Sequence, residues 1–419
     1  MTRRVNNKRP LHISVSEIFD SAWKTITKAS GRKVAPFSRE DYPDLREDEG
    51  IVTLYAGGGG DSEGARMAGL PTFYAADGWD TALDVHRANH PEAVHDQIWF
   101  GDEEQGGSLE DMYRRILDVV DGRRWHLHGS PPCTHLSAAT PLNNFGRRVD
   151  EGLEQTNWYL NLVRSLLGSD NPPLSWSVEN SPRLKRILAE ADSYGIPMAE
   201  KMKSLERAMP ILSASDFGVP QTRRRLFMGD NWRARPLGSR TPSVLDFLPG
   251  IADEEKDIME SGHKPSELDK LVERQRITEA IRERMLDAPF INLTGAIDVG
   301  SGNPGSPWTP EKQGYTWKHT HRADSSIPAV AASNPPTHAW NRRLSPTETG
   351  IITGFPIEYD WSPAVGKLYD TRYIDPITGK TKGTVSPAPQ AIAGNSIAPP
   401  VARSRYANII APQSKLFDW

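Results

Sequence analysis

Ile51-Val52-Thr53-Leu54-Tyr55-Ala56-Gly57-Gly58-Gly59-Gly60 is an apolar run that ends in four glycines. Its first five residues have the length and composition of a strand buried on both faces. The glycines let the backbone turn sharply and approach a ligand closely. A short helix with Gly64, Met67 and Ala68 follows. Pro71 to Ala76 then reads as a second strand, and Trp79 to Asn89 as a helix. Ile98-Trp99-Phe100 reads as a third strand, Leu109 to Val120 as a helix, and Trp125-His126-Leu127-His128 as a fourth strand. A helix at Leu153 to Leu167, a strand at Leu174 to Glu179 and a late strand at Leu226-Phe227-Met228 continue the pattern. Strands alternating with helices predict an α/β fold: a Rossmann-like, mostly parallel sheet flanked by helices.

The chain has 419 residues, two to three times the usual domain length of about 150. Residues 1–48 read as an N-terminal extension. In it Ser14 and Glu17 have capping-box spacing, and Ile18, Phe19, Ala22, Trp23 and Ile26 share one face of a docking helix. The sheet pattern occupies 49–231 and fades over 232–338, where Ser266 to Leu286 predicts an amphipathic helix and 300–322 a loop-rich module. Regularity returns over 339–419.

Composition excludes several classes. No apolar run approaches the 18 or so residues of a membrane helix, and no apolar core follows the basic N-terminus, so neither membrane spanning nor secretion is expected. One cysteine builds neither an internal disulfide nor a thiolate zinc site; a cytoplasmic setting and no metal are expected. The net charge is −4, from 50 basic and 54 acidic residues, so any contact with nucleic acid must use local positive charge. The 12 tryptophans serve either core packing or stacking surfaces.

Four segments carry candidate chemistry. The single cysteine stands in Gly129-Ser130-Pro131-Pro132-Cys133-Thr134, directly after a predicted strand. A lone cysteine is most often a small buried apolar residue. Here two prolines stiffen the turn, and strand ends are where α/β sheets deliver residues to a ligand crevice. Arg147, Arg148 and the arginines at 223–225 could provide the positive setting a reactive thiolate needs. Glu179, in Val178-Glu179-Asn180, is either a general acid with a raised pKa or an ion-paired strand-end residue. Gln221, Arg223 and Arg225 alternate, so on an extended segment they share one face. Such a row grips a base, a phosphate or a carboxylate, or guards an edge strand. Finally, Asp77 follows the glycine turn by about 20 residues, where an acid can accept hydrogen bonds from ribose hydroxyls.

In this order the four segments resemble the cytosine-specific carbon-5 DNA methyltransferases. Tyr55–Gly64 is similar to that family's first motif, with Tyr for the usual Phe. Pro132-Cys133 matches its Pro-Cys motif, with Thr134 for the usual Gln. Glu179-Asn180 matches its Glu-Asn motif, and Gln221, Arg223 and Arg225 its Gln-x-Arg-x-Arg motif. Arg343–Glu348 with Gly354-Phe355-Pro356 resembles the ninth motif, and Gly394–Ala402 the tenth.

The resemblance implies a class I methyltransferase fold. Its catalytic domain would be 49–231, its smaller target-recognition domain 232–338, and 339–419 would return to the catalytic domain. It further implies methyl transfer from S-adenosylmethionine to a flipped-out cytosine through a covalent Cys133 adduct at carbon 6. Glu179 would act at ring nitrogen 3, with Arg223 and Arg225 on the base carbonyl or adjacent backbone. Ser137 to Gly152 would be a mobile loop. The cofactor residues implied are Tyr55, Gly57, Gly59, Asp77, Asp102, Asn395 and Ser396, with Asp77 on the ribose and Asp102 on the adenine amino group. Double-stranded DNA would be the partner of a monomeric enzyme, in a restriction-modification or phage setting. Candidate DNA contacts are Trp308, Tyr315, Trp317, Lys318, His319, His321 and Arg322.

The sequence also departs from the family. Gly78 stands where an adenine-stacking residue is usual; either Trp79, one place later, takes that role or the pocket is altered. Asp61-Ser62-Glu63 replaces an apolar start to the helix. These acids are expected to be solvated and to favour the helix dipole, or else to mark a different one-carbon donor such as a folate. Residues 362–389 are longer than the family norm, with a hairpin turn at Ile374–Lys380. Rival readings are folate-type hydroxymethyl transfer, tRNA cytosine methylation and a catalytically silent DNA-binding relative.

Overall fold

The structure, a computed structural model, describes residues 36–133, 145–189, 209–230, 242–248, 290–292, 320–322, 337–338, 344–374, 379, 381–382 and 385–410. Among them, seven strands form the main sheet: β1 (Glu49–Leu54), β2 (Thr72–Asp77), β3 (Val94–Gln97), β4 (Arg124–Gly129), β5 (Ser175–Asn180), β6 (Ile211–Ser213) and β7 (Arg224–Gly229). Their spatial order is β3-β2-β1-β4-β5-β7-β6. The first five run parallel; β7 is antiparallel to both β5 and β6. The helices α1 (Gly60–Arg66), α2 (Asp80–Asn89), α3 (Leu109–Val120), α4 (Phe145–Leu167) and α5 (Pro182–Ala189) alternate with the strands. This is the mostly parallel class I arrangement expected.

Alternation within the strands divides the core. Val52, Leu54, Leu127, Val178, Leu226 and Met228 face a cluster that includes Ile116 of α3 and Tyr159, Leu162 and Leu166 of α4. Ile51 and Phe227 point to the other face, as period-two side chains must. That face is covered from far along the chain. Three later helices, α6 (Pro346–Thr353), α7 (Ala388–Asn395) and α8 (Pro399–Ile410), belong to 344–410. Val401, Ala402 and Tyr406 of α8 pack with Ala65 of α1, while Ile392 of α7 packs with Ala82 and Val85 of α2. The glycine turn makes this possible. A Cβ at Gly58 would sit 2.2 Å from the Ile392 side chain, and one at Gly60 would sit 2.3 Å from the Ile397 carbonyl.

Two differences from expectation matter. The third strand is Val94–Gln97, not Ile98–Phe100. It is an edge strand with half-exposed residues and carries no apolar signature; the apolar triplet after it leaves the sheet, with Ile98 and Phe100 buried in the core. The helix expected from 153 begins at Phe145, so the last part of the expected mobile loop is helical, while 137–144 lie outside the described residues. The expected docking helix at 14–26 and the helix at 266–286 also lie outside them.

Short strands β8 (Phe290–Asn292), β9 (Thr320–Arg322) and β10 (Thr337–His338) form a three-stranded antiparallel sheet within 232–338. Of the candidate DNA contacts, only His321 and Arg322 fall in described backbone. The long segment 362–389 forms two small antiparallel ladders. β11 (Leu368–Asp370) pairs with β14 (Val385–Pro387), and β12 (Tyr373–Ile374) pairs with β13 (Thr381–Lys382) around the expected turn. No helix among the described residues is long and apolar enough to cross a membrane.

Candidate active site

β4 ends at Gly129 and the chain turns through Ser130-Pro131-Pro132 to Cys133. The turn is fixed at both sides. The Ser130 N–H donates to the Leu54 carbonyl at 3.1 Å, and the Asn180 amide donates to the Pro131 carbonyl at 3.3 Å. Neighbouring β5 presents Glu179, buried, and antiparallel β7 brings Arg225 beside it, with Nε 2.8 Å from Oε1. Arg223, also buried, completes the group.

The electrostatics of these four side chains are linked. Burial pushes the Glu179 carboxyl up, opposed by Arg225, Arg223 and a hydrogen bond with Ser130. Burial also pushes the Cys133 thiol up; Arg225 and Arg223 pull it down and Glu179 adds to the rise. Arg223 falls to about 9, through burial first and the charge of Arg225 second. The arrangement is a thiol and a protonatable carboxyl held together by guanidinium groups, as covalent activation with general-acid assistance requires. Gln221 takes a different course: its amide donates to the Ile352 carbonyl at 2.7 Å and to Thr353 Oγ1 at 3.2 Å, tying the strand to α6.

A cavity of about 880 Å³ runs from Cys133 and Glu179 past Gly57 and Asp77 to Trp79, Trp99 and Tyr369. Asp77, at the end of β2, accepts the Gly57 N–H on Oδ2 and the Trp79 N–H on Oδ1, each at 2.7 Å. Burial still pushes its carboxyl up, against both of these bonds. Gly57 has φ +52°, and a Cβ there would meet no atom within 4 Å, so its backbone faces open cavity. Tyr55, also at positive φ, donates from its hydroxyl to Gln155 Oε1 at 3.0 Å and lies 4.2 Å, ring to ring, from Phe100. Asn395 and Ser396 line the cavity, and Asn395 hydrogen-bonds the Tyr369 hydroxyl.

Two expected cofactor residues stand apart from the lining. Gly59 is the N-cap of α1. Asp102 is occupied by its own turn, accepting the Glu104 and Gln105 N–H groups at 3.0 and 3.2 Å and the Gln105 amide at 2.8 Å.

The aromatic end contains residues that sequence reasoning missed. Gly78 lies against Trp99, where a Cβ would come within 2.8 Å of the indole. A larger residue there would have to displace the Trp99 indole, and Trp79 takes the cavity wall, 4.5 Å from the Tyr369 ring. Tyr369 comes from β11, in the long segment 362–389. Trp99, 56% exposed, had been absorbed into a supposed strand.

Asp61, Ser62 and Glu63 are not solvated; all three are buried. Asp61 accepts from the Tyr406 hydroxyl at 2.7 Å, Ser62 pairs with His86 at 2.8 Å, and Glu63 is gripped by Arg39 at 2.7 Å with His90 nearby. Their partners arrive from distant segments, which is why the local sequence misled. Among the described residues no cluster of three or more His, Cys, Asp or Glu could hold a metal ion.

Comparison with known proteins gives one family. The C-5 cytosine-specific DNA methylase description matches residues 50–373. Type II methyltransferase M.AgeI of Thalassovita gelatinovora is 29% identical over 215 residues, 48% of this chain and 46% of that protein. Type II methyltransferase M.HgiDI of Herpetosiphon aurantiacus is 28% identical over 196 residues, 47% and 54% of the two chains. The matched region thus spans about half the length of these curated relatives. Among solved structures, the S. pombe Dnmt2 methyltransferase is 15% identical with TM-score 0.43, covering 88% of this chain and 99% of that one.

Proposed function

The chain belongs to the C-5 cytosine-specific DNA methylase family, and from that premise we propose that it methylates carbon 5 of cytosine in double-stranded DNA with S-adenosylmethionine as donor. The observation that carries this reading is the meeting of Cys133 and Glu179, the latter paired with Arg225 behind it, at one end of a cavity whose other end is aromatic. The donor's fit is supported by the open backbone at Gly57, the half-buried Asp77 carboxyl on the cavity wall and the Trp79–Tyr369 pair. S-adenosylmethionine supplies the methyl group as an electrophile.

The side chains of this protein do the rest. Cys133 adds as thiolate to carbon 6 of the everted base, breaking the ring's 5,6 double bond and pushing electrons toward carbon 5. Glu179 donates its proton at ring nitrogen 3, so no full negative charge develops on the ring. Arg225 holds that carboxyl in place, and with Arg223 stabilises the thiolate. Loss of the carbon-5 proton to water then breaks the bond between Cys133 and carbon 6, the nitrogen-3 proton returns to the Glu179 carboxylate, and aromaticity returns. Duplex stacking hides these atoms, so the base must leave the helix, and the 880 Å³ cavity has room for a pyrimidine beside the donor.

Tyr55, Gly57, Asp77, Trp79, Asn395 and Ser396 are proposed to hold the donor directly, and Gly59 and Asp102 to act through the turns they shape. Residues 232–338 are proposed as the target-recognition region and 1–48 as an extension. The packing of α7 and α8 on α1 and α2 supports 339–419 as a returning part of the catalytic domain. A monomer acting in the cytoplasm completes the proposal. Burial of Asp61, Ser62 and Glu63 against protein partners takes away the reason for preferring a folate donor.

The test is transfer of labelled methyl from S-adenosylmethionine to duplex DNA and to tRNA, with nucleoside mass spectrometry. We expect 5-methylcytosine in DNA, and loss of at least about a thousandfold in Cys133→Ala. Equal transfer by the two proteins, or hydroxymethylcytosine as product, would refute the reading.

A further inference from the structure

Behind the glycine turn lies a buried layer that the mechanism above does not use. Gly57, Gly58 and Gly60 line the cavity, whereas Gly59 and Tyr359 do not. A Cβ on Gly59 would sit 2.7 Å from the Tyr359 hydroxyl, 3.1 Å from the His86 ring and 3.2 Å from the His90 ring. Two carbonyls of the turn have partners. That of Gly59 accepts the Glu63 N–H at 2.8 Å, at the start of α1, and that of Gly58 accepts the Tyr359 hydroxyl.

Tyr359 is buried on the loop after α6 and is itself held by its neighbours. Its ring lies 4.5 Å from Phe355 and 5.1 Å from Trp361, centroid to centroid. The Arg39 guanidinium lies 5.4 Å from the same ring while it grips Glu63 of α1. Asn89, at the end of α2, exchanges two hydrogen bonds of 2.9 Å with the Asp360 backbone, and the Ile357 N–H donates to the Phe37 carbonyl at 2.9 Å. The hydroxyl therefore reaches the turn from a fixed place. Burial first, and the charge of Glu63 second, push the phenol well above its ordinary value, against Arg39, so it keeps the proton that it donates.

We propose that Tyr359 is a positioning residue for the methyl donor: its hydroxyl pins the Gly58–Gly59 peptide, so that the cavity face of the glycine turn is in place before S-adenosylmethionine arrives. The inference rests on the proposed role of that turn in holding the donor. A peptide between two glycines turns over at little steric cost, because neither residue has a Cβ. Turning over would carry the Gly58 oxygen away from Tyr359 and reshape the cavity wall. A buried carbonyl left without a donor is costly, so the one hydroxyl holds the peptide plane. Without it the competent turn is one conformer among several, and apparent donor affinity falls in proportion to its population. Once the donor is bound, the competent turn has been selected and the chemistry at Cys133 proceeds as before.

The test is Tyr359→Phe, which keeps the ring and removes only the hydroxyl. Titration calorimetry with S-adenosylmethionine, well below Tm, should show Kd raised roughly fivefold to tenfold. Methyl transfer at saturating donor should keep kcat within about twofold of wild type, with KM for DNA unchanged. A lowered Tm with donor Kd unchanged would leave the hydroxyl a packing role alone and overturns the proposal. So does a kcat that falls as far as the affinity.

A second measurement uses the wild type. The chain has four Gly–Gly peptides, three within residues 57–60 and one at 106–107. Glycine labelled at its carbonyl carbon and nitrogen therefore gives four NMR cross-peaks, and those of the turn link to one another through Gly58 and Gly59. The Gly58 carbonyl carbon should resonate downfield, as hydrogen-bonded carbonyls do, and stay there when S-adenosylmethionine is added. A Gly58 resonance at the unbonded position in the free protein overturns the proposal, even where Tyr359→Phe fails to fold. Failure of wild type to bind S-adenosylmethionine at all would instead strike the donor reading on which the proposal rests.

Discussion

The two ends of the cavity are built on opposite principles. At one end Cys133, Glu179 and Arg225 come from the turn after β4, from β5 and from β7, and are held by charge and by hydrogen bonds to neighbouring backbone. At the other end Trp79, Trp99 and Tyr369 make a wall of rings, one of them lent by β11. The charged end has its geometry set by strand register, since neighbours in a sheet have fixed spacing. The aromatic end has its geometry set by the packing of a separate ladder. On the proposed function chemistry belongs to the charged end and donor affinity to the aromatic one, and each should answer to its own kinetic parameter.

The largest effect is expected at the charged end. Glu179→Gln keeps the shape but removes the transferable proton, and kcat should fall by about 10²–10³ with KM for the donor little changed. A comparable rise in donor KM would mean that the two ends are not separable. At the aromatic end, Trp79→Ala or Tyr369→Ala each removes a ring contact of about 0.5–1.5 kcal/mol, so donor KM or Kd by calorimetry should rise roughly 3- to 10-fold while saturating kcat stays near wild type.

Between the ends, Asp61 gives a pH signature. Its folded pKa is raised to about 7 from 3.8, so the folded protein binds more protons than the unfolded chain between those values. Stability contributed at this site is therefore fully present below about 4 and is lost as pH rises toward 7. The Tm of Asp61→Asn should gain on wild type by roughly 3 °C or more across that window, read by calorimetry at matched ionic strength. A constant difference in Tm would remove the shifted carboxyl from the account. The smallest effect is expected outside both ends: Asp102→Ala loosens a turn beside the cavity, and donor KM should move by less than about twofold. A tenfold rise would bring Asp102 into direct contact with the donor.

What was legible in the sequence follows the same division. β1 prints a near-continuous apolar run, and β4 and β5 alternate Trp125 and Leu127 with His126 and His128, and Trp176 and Val178 with Ser177 and Glu179, so all three read as strands and the residues at their ends could be placed at the crevice before any coordinates. Thus Cys133, Glu179 and Asp77 could be named from pattern and spacing, and the long apolar-faced α3 was readable to its last residue. β3 was not, because Val94-His95-Asp96-Gln97 is a half-exposed edge with no alternation to read. Trp99 and Tyr369 were missed because a cavity wall is a tertiary product: nothing near residue 369 says that residue 79 will face it. The burial of Asp61, Ser62 and Glu63 was hidden for the same reason. Helix-start acids look solvated until Tyr406, His86 and Arg39 are brought to them.

The close approach of Ile392 and Ile397 to Gly58 and Gly60 sets an order of events during synthesis. The glycine turn leaves the ribosome early, but the residues that press against it are among the last of the described chain to be made. Such distant contacts cost loop closure before they give anything back. A nascent chain holding every residue of the charged end therefore still lacks the floor beneath its glycine turn, and the cavity is completed only after translation has carried the C-terminal helices home.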